Sequence, residues 1–149
     1  MLTVVTYSRK EFDNIGFNDT NVDSYTNDYF ICINATANIH SEPYFNLDHD
    51  NVLNLYFDDV LEDCKKFYGP TDSEFEFDAK AITVSQAKQL HKFIHSIPDN
   101  SVLHIYCTKG KSRSVAVKKY IEEYVNNCTC LVDGYNILVY ELLKCLSSK

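Results

Sequence analysis

The sequence HIYCTKGKSRS, residues 104–114, joins two apolar segments through six residues that include a cysteine, a glycine and two lysines. The preceding run SVLHIY, residues 101–106, is predicted to be a strand, and RSVAVKKYIEEYV, residues 113–125, is predicted to be a helix. The chain therefore reverses direction at the N-terminus of a helix. A turn whose N–H groups point inward there forms a concave anion site, and Gly110 gives the backbone the freedom to turn.

The rest of the chain alternates between strand-like and helix-like segments. Further strands are predicted at residues 2–6, 29–34 and 52–57, and further helices at 78–97, with Asp78 as N-cap, and at 133–146. This alternation predicts an α/β fold, with a central, mostly parallel sheet of four to five strands flanked by helices. Ligands bind beyond the carboxyl ends of the strands in such sheets, and the loop after residue 106 lies at one of these ends.

The side chains of the loop suit a phosphate group. Arg113, in the first turn of the following helix, can hold two phosphate oxygens with its planar guanidinium. Cys107 lies at the base of the loop, where the same N–H dipoles favour the thiolate over the thiol. A thiolate beneath a bound phosphate is a nucleophile positioned for in-line attack. The alternative for Cys107 is a buried core thiol without reactivity.

The segment CTKGKSRS resembles the H-C-x5-R-[ST] signature of the cysteine-dependent protein tyrosine and dual-specificity phosphatases. The similarity is greatest to small phosphatase-like proteins of bacteria and phages, and it extends weakly to residues 57–60 and 135–139. It implies a fold of the phosphotyrosine protein phosphatase II type. It also implies that Cys107 forms a phosphocysteine, that Arg113 clamps the phosphate and that Ser114 eases departure of the thiolate. The phosphate-binding backbone is then that of Thr108, Lys109, Gly110, Lys111 and Ser112.

The same family uses an aspartic acid on a separate loop to protonate the leaving oxygen, as the chemistry requires. Asp58 and Asp59 follow the predicted strand 52–57, at the same end of the sheet if that strand is parallel. The resemblance favours Asp59 as the acid, and an ordinary strand-end turn is the alternative for both. Two features depart from the family pattern: Tyr106 replaces the usual histidine, and an insertion is expected around residues 65–76.

Composition limits the other functions. The 149 residues, of which 45% are hydrophobic, suit a single domain spanning residues 1–149. A net charge of −7 disfavours nucleic-acid binding. The absence of a leader or a long apolar run predicts no membrane association and a cytoplasmic location, which is the host cytoplasm for a phage-encoded protein. The six cysteines are expected to remain reduced.

We therefore predict a phosphomonoester hydrolase that acts on a phosphorylated protein, with phosphotyrosine as the default, or on a small phosphoester. No metal or organic cofactor is implied. One alternative is a phosphopeptide-binding module with weak turnover, because Tyr106 replaces the histidine. Another is a different cysteine-loop enzyme, such as a sulfurtransferase or an arsenate reductase, and the serine after Arg113 and the separate aspartate loop argue against it.

Overall fold

The structure is a computed structural model that describes residues 1–37, 41–68 and 75–148. The described residues form six strands and four α-helices: β1 (Thr3–Ser8), α1 (Arg9–Ile15), β2 (Asp28–Asn34), β3 (Val52–Tyr56), β4 (Cys64–Tyr68), β5 (Phe75–Ala79), α2 (Val84–Ser96), β6 (Val102–Cys107), α3 (Arg113–Tyr124) and α4 (Ile137–Ser147). None of the described helices is long and apolar enough to cross a membrane.

Four strands form a parallel sheet in the order β1-β6-β2-β3. The predicted α/β class, with a parallel sheet flanked by helices, is confirmed. Strand β6 is central, and its last residue, Cys107, is in register with Ser8 at the end of β1. The carboxyl ends of all four strands therefore meet at one edge of the sheet, where the loop after Cys107 lies.

Each face of the sheet covers its own apolar core. Helices α2, α3 and α4 pack on one face, and α1 with the segment around Phe45 packs on the other. Alternate residues of β6 point to opposite faces, so Cys107 belongs to the three-helix side and Tyr106 to the α1 side. His104 stacks on Tyr7 and Phe30 and lies on the same side as Tyr106, as its spacing of two residues predicts.

Two predicted helix starts are wrong. Asp78 lies in β5, and the helix begins at Val84, because Thr83 and Gln86 form a capping box there. The last helix begins at Ile137 and not at residue 133, since Gly134 has a φ of +72°, which is outside the helical range, and Asn136 caps the helix.

Strands β4 and β5 pair as an antiparallel hairpin in the region where the insertion was expected. Residues 69–74 of that insertion lie outside the described residues. Helix α1, which the sequence analysis did not predict, begins with a capping box between Ser8 and Glu11.

Candidate functional site

The loop from Cys107 to Ser112 connects β6 directly to α3, and it is packed against the end of β1. Gly110 has a φ of +70°, and a Cβ atom there would lie 2.5 Å from the backbone N of Ser8. Arg9 N–H donates to the Thr108 carbonyl over 3.2 Å. Glycine is therefore needed at position 110 for two reasons, its backbone conformation and the close approach of β1.

The side chain of Cys107 is buried, with the residue only 2% exposed, and its Sγ lies 3.2 Å from Oγ of Ser114. Ser114 is fully buried in the first turn of α3. A hydroxyl at this distance can donate to a thiolate or accept from a thiol. Ser114 is thus the described side chain that hydrogen-bonds the sulfur of Cys107.

Arg113 is a buried cation, 6% exposed, at the start of α3. Its Nη1 donates to the Phe57 carbonyl over 2.8 Å, whereas its buried Nε has no acceptor among the described residues. None of the ion pairs between described residues involves Arg113. Because an uncompensated buried charge is costly, this arginine is suited to an anionic ligand.

The two adjacent aspartates have different surroundings. Asp58 is buried and accepts from Thr36 N over 3.1 Å, from the Thr36 hydroxyl, and from Lys80 N over 2.8 Å. It therefore ties together the chain segments that follow β2, β3 and β5. All of the described hydrogen bonds of its side chain serve this structural connection.

Asp59 is exposed and reaches the loop that follows β6. Its Oδ1 accepts from Oγ of Ser112 over 2.7 Å and from Nδ2 of Asn136 over 3.0 Å. No described residue donates to Oδ2 of Asp59, so one carboxylate oxygen is anchored while the other has no described donor. Between the two candidate acids, Asp59 is the one in contact with the predicted phosphate loop.

These residues surround a cleft with a volume of about 470 Å³. Its lining comprises seven of the predicted site residues, Asp59, Cys107, Thr108, Lys109, Lys111, Ser112 and Arg113, together with Ala35, Asp58, Val60, Lys66, Phe77 and Ala79. The two remaining predicted residues do not line it: Ser114 contacts Cys107 from within α3, and Gly110 packs on β1. The structure therefore brings the predicted residues into one region.

Asn136 is a residue of this region to which the sequence analysis gave no site role. It is 3% exposed, and besides its bond to Asp59 its Nδ2 donates to the Val60 carbonyl over 3.4 Å. Its backbone N–H donates to the Ser112 carbonyl over 3.2 Å. Asn136 therefore connects the aspartate loop, the loop after β6 and the start of α4. The position of Asn136 as a helix cap shortly after Gly134 can be recognised from the local sequence. Its contact with Asp59 cannot.

Tyr106, which replaces the expected histidine, is bound behind the loop. Its hydroxyl donates to Oδ1 of Asn34 over 2.6 Å and accepts from Nη1 of Arg9 over 3.2 Å. The guanidinium of Arg9 also lies 5.0 Å from the centre of the Tyr106 ring. Burial raises the pKa of Tyr106 well above its usual range, so this hydroxyl stays protonated and acts as a fixed donor.

All six cysteines are free thiols. Burial raises the pKa of Cys32 to about 12, so this thiol, on the α1 side of the sheet, is protonated and inert at neutral pH. Within residues 1–37, 41–68 and 75–148, no group of three or more His, Cys, Asp or Glu side chains is arranged to hold a metal ion. No protein-family model, curated protein or solved structure matches the chain. The features that bear on function are therefore the cleft and the motif at residues 107–114.

Proposed function

We propose that this protein is a phosphomonoester hydrolase of the protein tyrosine or dual-specificity phosphatase type, acting through a phosphocysteine intermediate. The observation that carries the proposal is the buried Arg113, whose Nε lacks a described acceptor, in the same cleft as the buried Cys107. A tetrahedral dianion in this cleft would give the guanidinium a charged partner. The default substrate is phosphotyrosine in a protein, and a small phosphoester suits the same chemistry.

The first step transfers the phosphoryl group to sulfur. The Cys107 thiolate attacks phosphorus, an S–P bond forms, and the P–O bond to the leaving group breaks. Arg113 and the loop amides neutralise charge on the phosphate oxygens, and Asp59 donates a proton to the departing oxygen. Its anchored Oδ1 restricts the carboxylate, which leaves Oδ2 to carry that proton.

The second step regenerates the enzyme. Asp59, now ionised, accepts a proton from a water molecule that attacks phosphorus, and the S–P bond breaks to release phosphate. The Ser114 hydroxyl, 3.2 Å from the sulfur, donates to the departing thiolate.

We also infer a cytoplasmic location, because free cysteines suit a reducing compartment.

The proposal is tested by hydrolysis of 4-nitrophenyl phosphate. We expect the Cys107→Ser and Arg113→Ala variants each to lose roughly 10³-fold or more of the wild-type turnover. Cys145→Ser is the matched control, because this exposed thiol in α4 lies outside the cleft. Isolation of a phosphorylated protein in which the label is on Cys107 would identify the intermediate.

A binding module is the second candidate, and Tyr106 favours it. The Tyr106 hydroxyl is directed to Asn34 and Arg9, so the group that replaces the family histidine is occupied away from the sulfur. A wild-type protein that binds a phosphotyrosine peptide through Arg113 but does not hydrolyse an aryl phosphate would establish this alternative and reject the hydrolase.

A further inference from the structure

The β4–β5 hairpin has two chemically different faces. On the outer face, Lys65 Nζ lies 2.7 Å from Asp78 and 3.8 Å from Glu76, and all three side chains are at least half exposed. This is a ladder of exposed ion pairs of the kind that cross-strand neighbours form on a solvated surface. Lys65 is therefore paired with carboxylates of the hairpin itself.

The other face lines the cleft. Lys66 and Phe77 are directly opposite each other in the hairpin register, and Ala79 follows two residues after Phe77 on the same strand. All three line the cleft that also contains Cys107. Side chains alternate between the two faces of a strand, so Lys65 and Lys66 differ in direction although they are adjacent. The cleft face therefore presents a cation beside an aromatic ring.

The base of the hairpin is hydrogen-bonded to the segment after β3 that contains Asp58 and Asp59. Asp58 N–H donates to the Lys80 carbonyl over 2.6 Å, and Lys80 N–H donates to Asp58 Oδ2 over 2.8 Å. Ala81 N–H donates to Asp63 Oδ1 over 2.9 Å. Because Asp58 directly precedes Asp59, these bonds position the cleft face of the hairpin together with the proposed general acid.

The cleft is cationic although the chain has a net charge of −7. Four cationic side chains line it, Lys66, Lys109, Lys111 and Arg113, against the carboxylates of Asp58 and Asp59. Asp58 is already engaged by its three donors. Lys109 and Lys111 come from the loop that would hold the reacting phosphate and Arg113 from the start of α3, whereas Lys66 comes from the hairpin.

We propose that Lys66 binds a second anionic group of the substrate. The substrate is then a phosphoester with an apolar or aromatic body, which packs on Phe77 and separates the reacting phosphate from the second anion. This inference rests on the proposed function for the identity of the reacting group. It adds the substrate class, which is a phosphoester with a second anionic group near the reacting phosphate. A bisphosphorylated small molecule and a phosphotyrosine peptide with a neighbouring acidic residue both have such a group.

The test compares phenyl phosphate with 1,4-phenylene bisphosphate, which differ only in the second phosphate. Wild-type kcat/KM is expected to favour the bisphosphate by roughly five- to tenfold. A factor of about two is statistical, because either of the two equivalent phosphates of the bisphosphate can react. Lys66→Met should reduce the preference to about the statistical twofold, and Lys66→Arg should retain it. Lys65→Met is the matched control and should also retain it, because Lys65 lies on the outer face.

A binding measurement separates this inference from the proposed hydrolase. The same two ligands are titrated calorimetrically into Cys107→Ser protein, with and without Lys66→Met. A Lys66-dependent preference without any wild-type turnover would support the Lys66 site and reject the hydrolase. Turnover without a preference above twofold, or an equal loss in Lys65→Met, would reject the Lys66 site and leave the hydrolase intact.

A peptide comparison identifies the source of the second anion. Phosphotyrosine peptides that carry Glu or Gln beside the phosphotyrosine are compared in wild-type and Lys66→Met proteins. A Lys66-dependent advantage of the Glu peptide assigns an acidic protein segment. An advantage confined to the bisphosphate assigns a small bisphosphorylated molecule. If Lys66 affects neither pair, the inference is wrong.

Discussion

Asn136 is buried at the N-cap of α4, yet its side-chain amide holds Oδ1 of Asp59 at 3.0 Å. The same Nδ2 contacts the Val60 carbonyl, and its Oδ1 accepts from Val139 N–H over 3.2 Å. The amide is therefore fixed at both ends, and it can orient the carboxylate that we propose as the general acid. Asn136 itself contacts no reacting atom in this scheme, so it is a positioning residue.

Replacing Asn136 with alanine is expected to affect poor leaving groups selectively. The kcat/KM for phenyl phosphate should fall by about tenfold or more, because an unprotonated phenolate leaves slowly. The kcat/KM for 4-nitrophenyl phosphate should change far less, and neither value includes the hydrolysis step that the two substrates share. Asp59→Asn should show the same selectivity. Thr83→Ala removes the N-cap of α2, outside the cleft, and is the control for the loss of a cap alone. Equal losses for both substrates would show that Asn136 acts only on stability.

At the scale of elements, the sequence predicted the segment from β6 through α3 well. The apolar strand, Gly110 and the periodic helix all indicate the same structure within about 25 residues, so local signals suffice there. The β4–β5 hairpin was not predicted because its strands carry charges on the outer face, and Asp78 is as plausible a helix cap as Thr83. In the structure Thr83 forms the capping box with Gln86, whereas Asp78 pairs with Lys65 across the hairpin.

The parts of the candidate site whose residues are close in sequence were predictable, and the contacts between residues far apart in sequence were not. Cys107, Arg113 and Ser114 lie within eight residues of one another along the chain, and the structure brings them together. The distinct surroundings of Asp58 and Asp59 depend on how the chain turns after β3, which alternation alone does not determine. The contact between Asn136 and Asp59 joins residues 77 positions apart, and no local pattern encodes it.

The loop after β6 depends on glycine at position 110. A comparison with Gly134 separates the effect of the backbone conformation of Gly110 from the effect of its close packing. Gly110 and Gly134 have φ values of +70° and +72°, but a Cβ atom would meet backbone only at Gly110. Gly134→Ala is expected to destabilise by about 1–2 kcal/mol through backbone strain alone. Gly110→Ala should cost about 1–3 kcal/mol more, because the loop must move away from β1. Urea unfolding measures both, and equal losses would contradict the packing argument.

At the scale of the whole molecule, histidines join elements on both sides of the sheet. On the three-helix side, His95 of α2 bonds the Tyr120 hydroxyl of α3 over 2.7 Å, and His91 bonds Ser147 of α4 over 3.0 Å. Burial lowers the pKa of both histidines, and for His91 the charge of His95 lowers it further. Their neutral forms are therefore favoured in the folded protein, and stability falls as the pH drops below their ordinary pKa of 6.5.

On the other side, His49 joins two loops with the opposite dependence on pH. Its Nε2 lies 2.8 Å from Asp19 and its Nδ1 lies 2.9 Å from Asp23. The hydrogen bond to Asp19, followed by that to Asp23, raises the pKa of His49, although burial opposes this. The bond to His49 in turn lowers the pKa of Asp19. The ion pair therefore stabilises the fold below pH 6.5, loses its effect as the pH rises through the raised His49 pKa, and also weakens at acidic pH as Asp19 is protonated.

Urea unfolding between pH 5 and 9 should separate the two sides of the sheet. The loss of unfolding free energy in His49→Gln is expected to be largest near pH 5–6 and to shrink towards pH 9, because only the charged imidazole bridges Asp19 and Asp23 as an ion pair. Relative to His91→Gln and His95→Gln, the wild-type protein should instead lose stability as the pH falls from 7.5 to 5, since its partly desolvated rings must then take up protons. A His49→Gln loss that does not vary with pH would mean that neutral hydrogen bonds, and not charge, hold the two loops together.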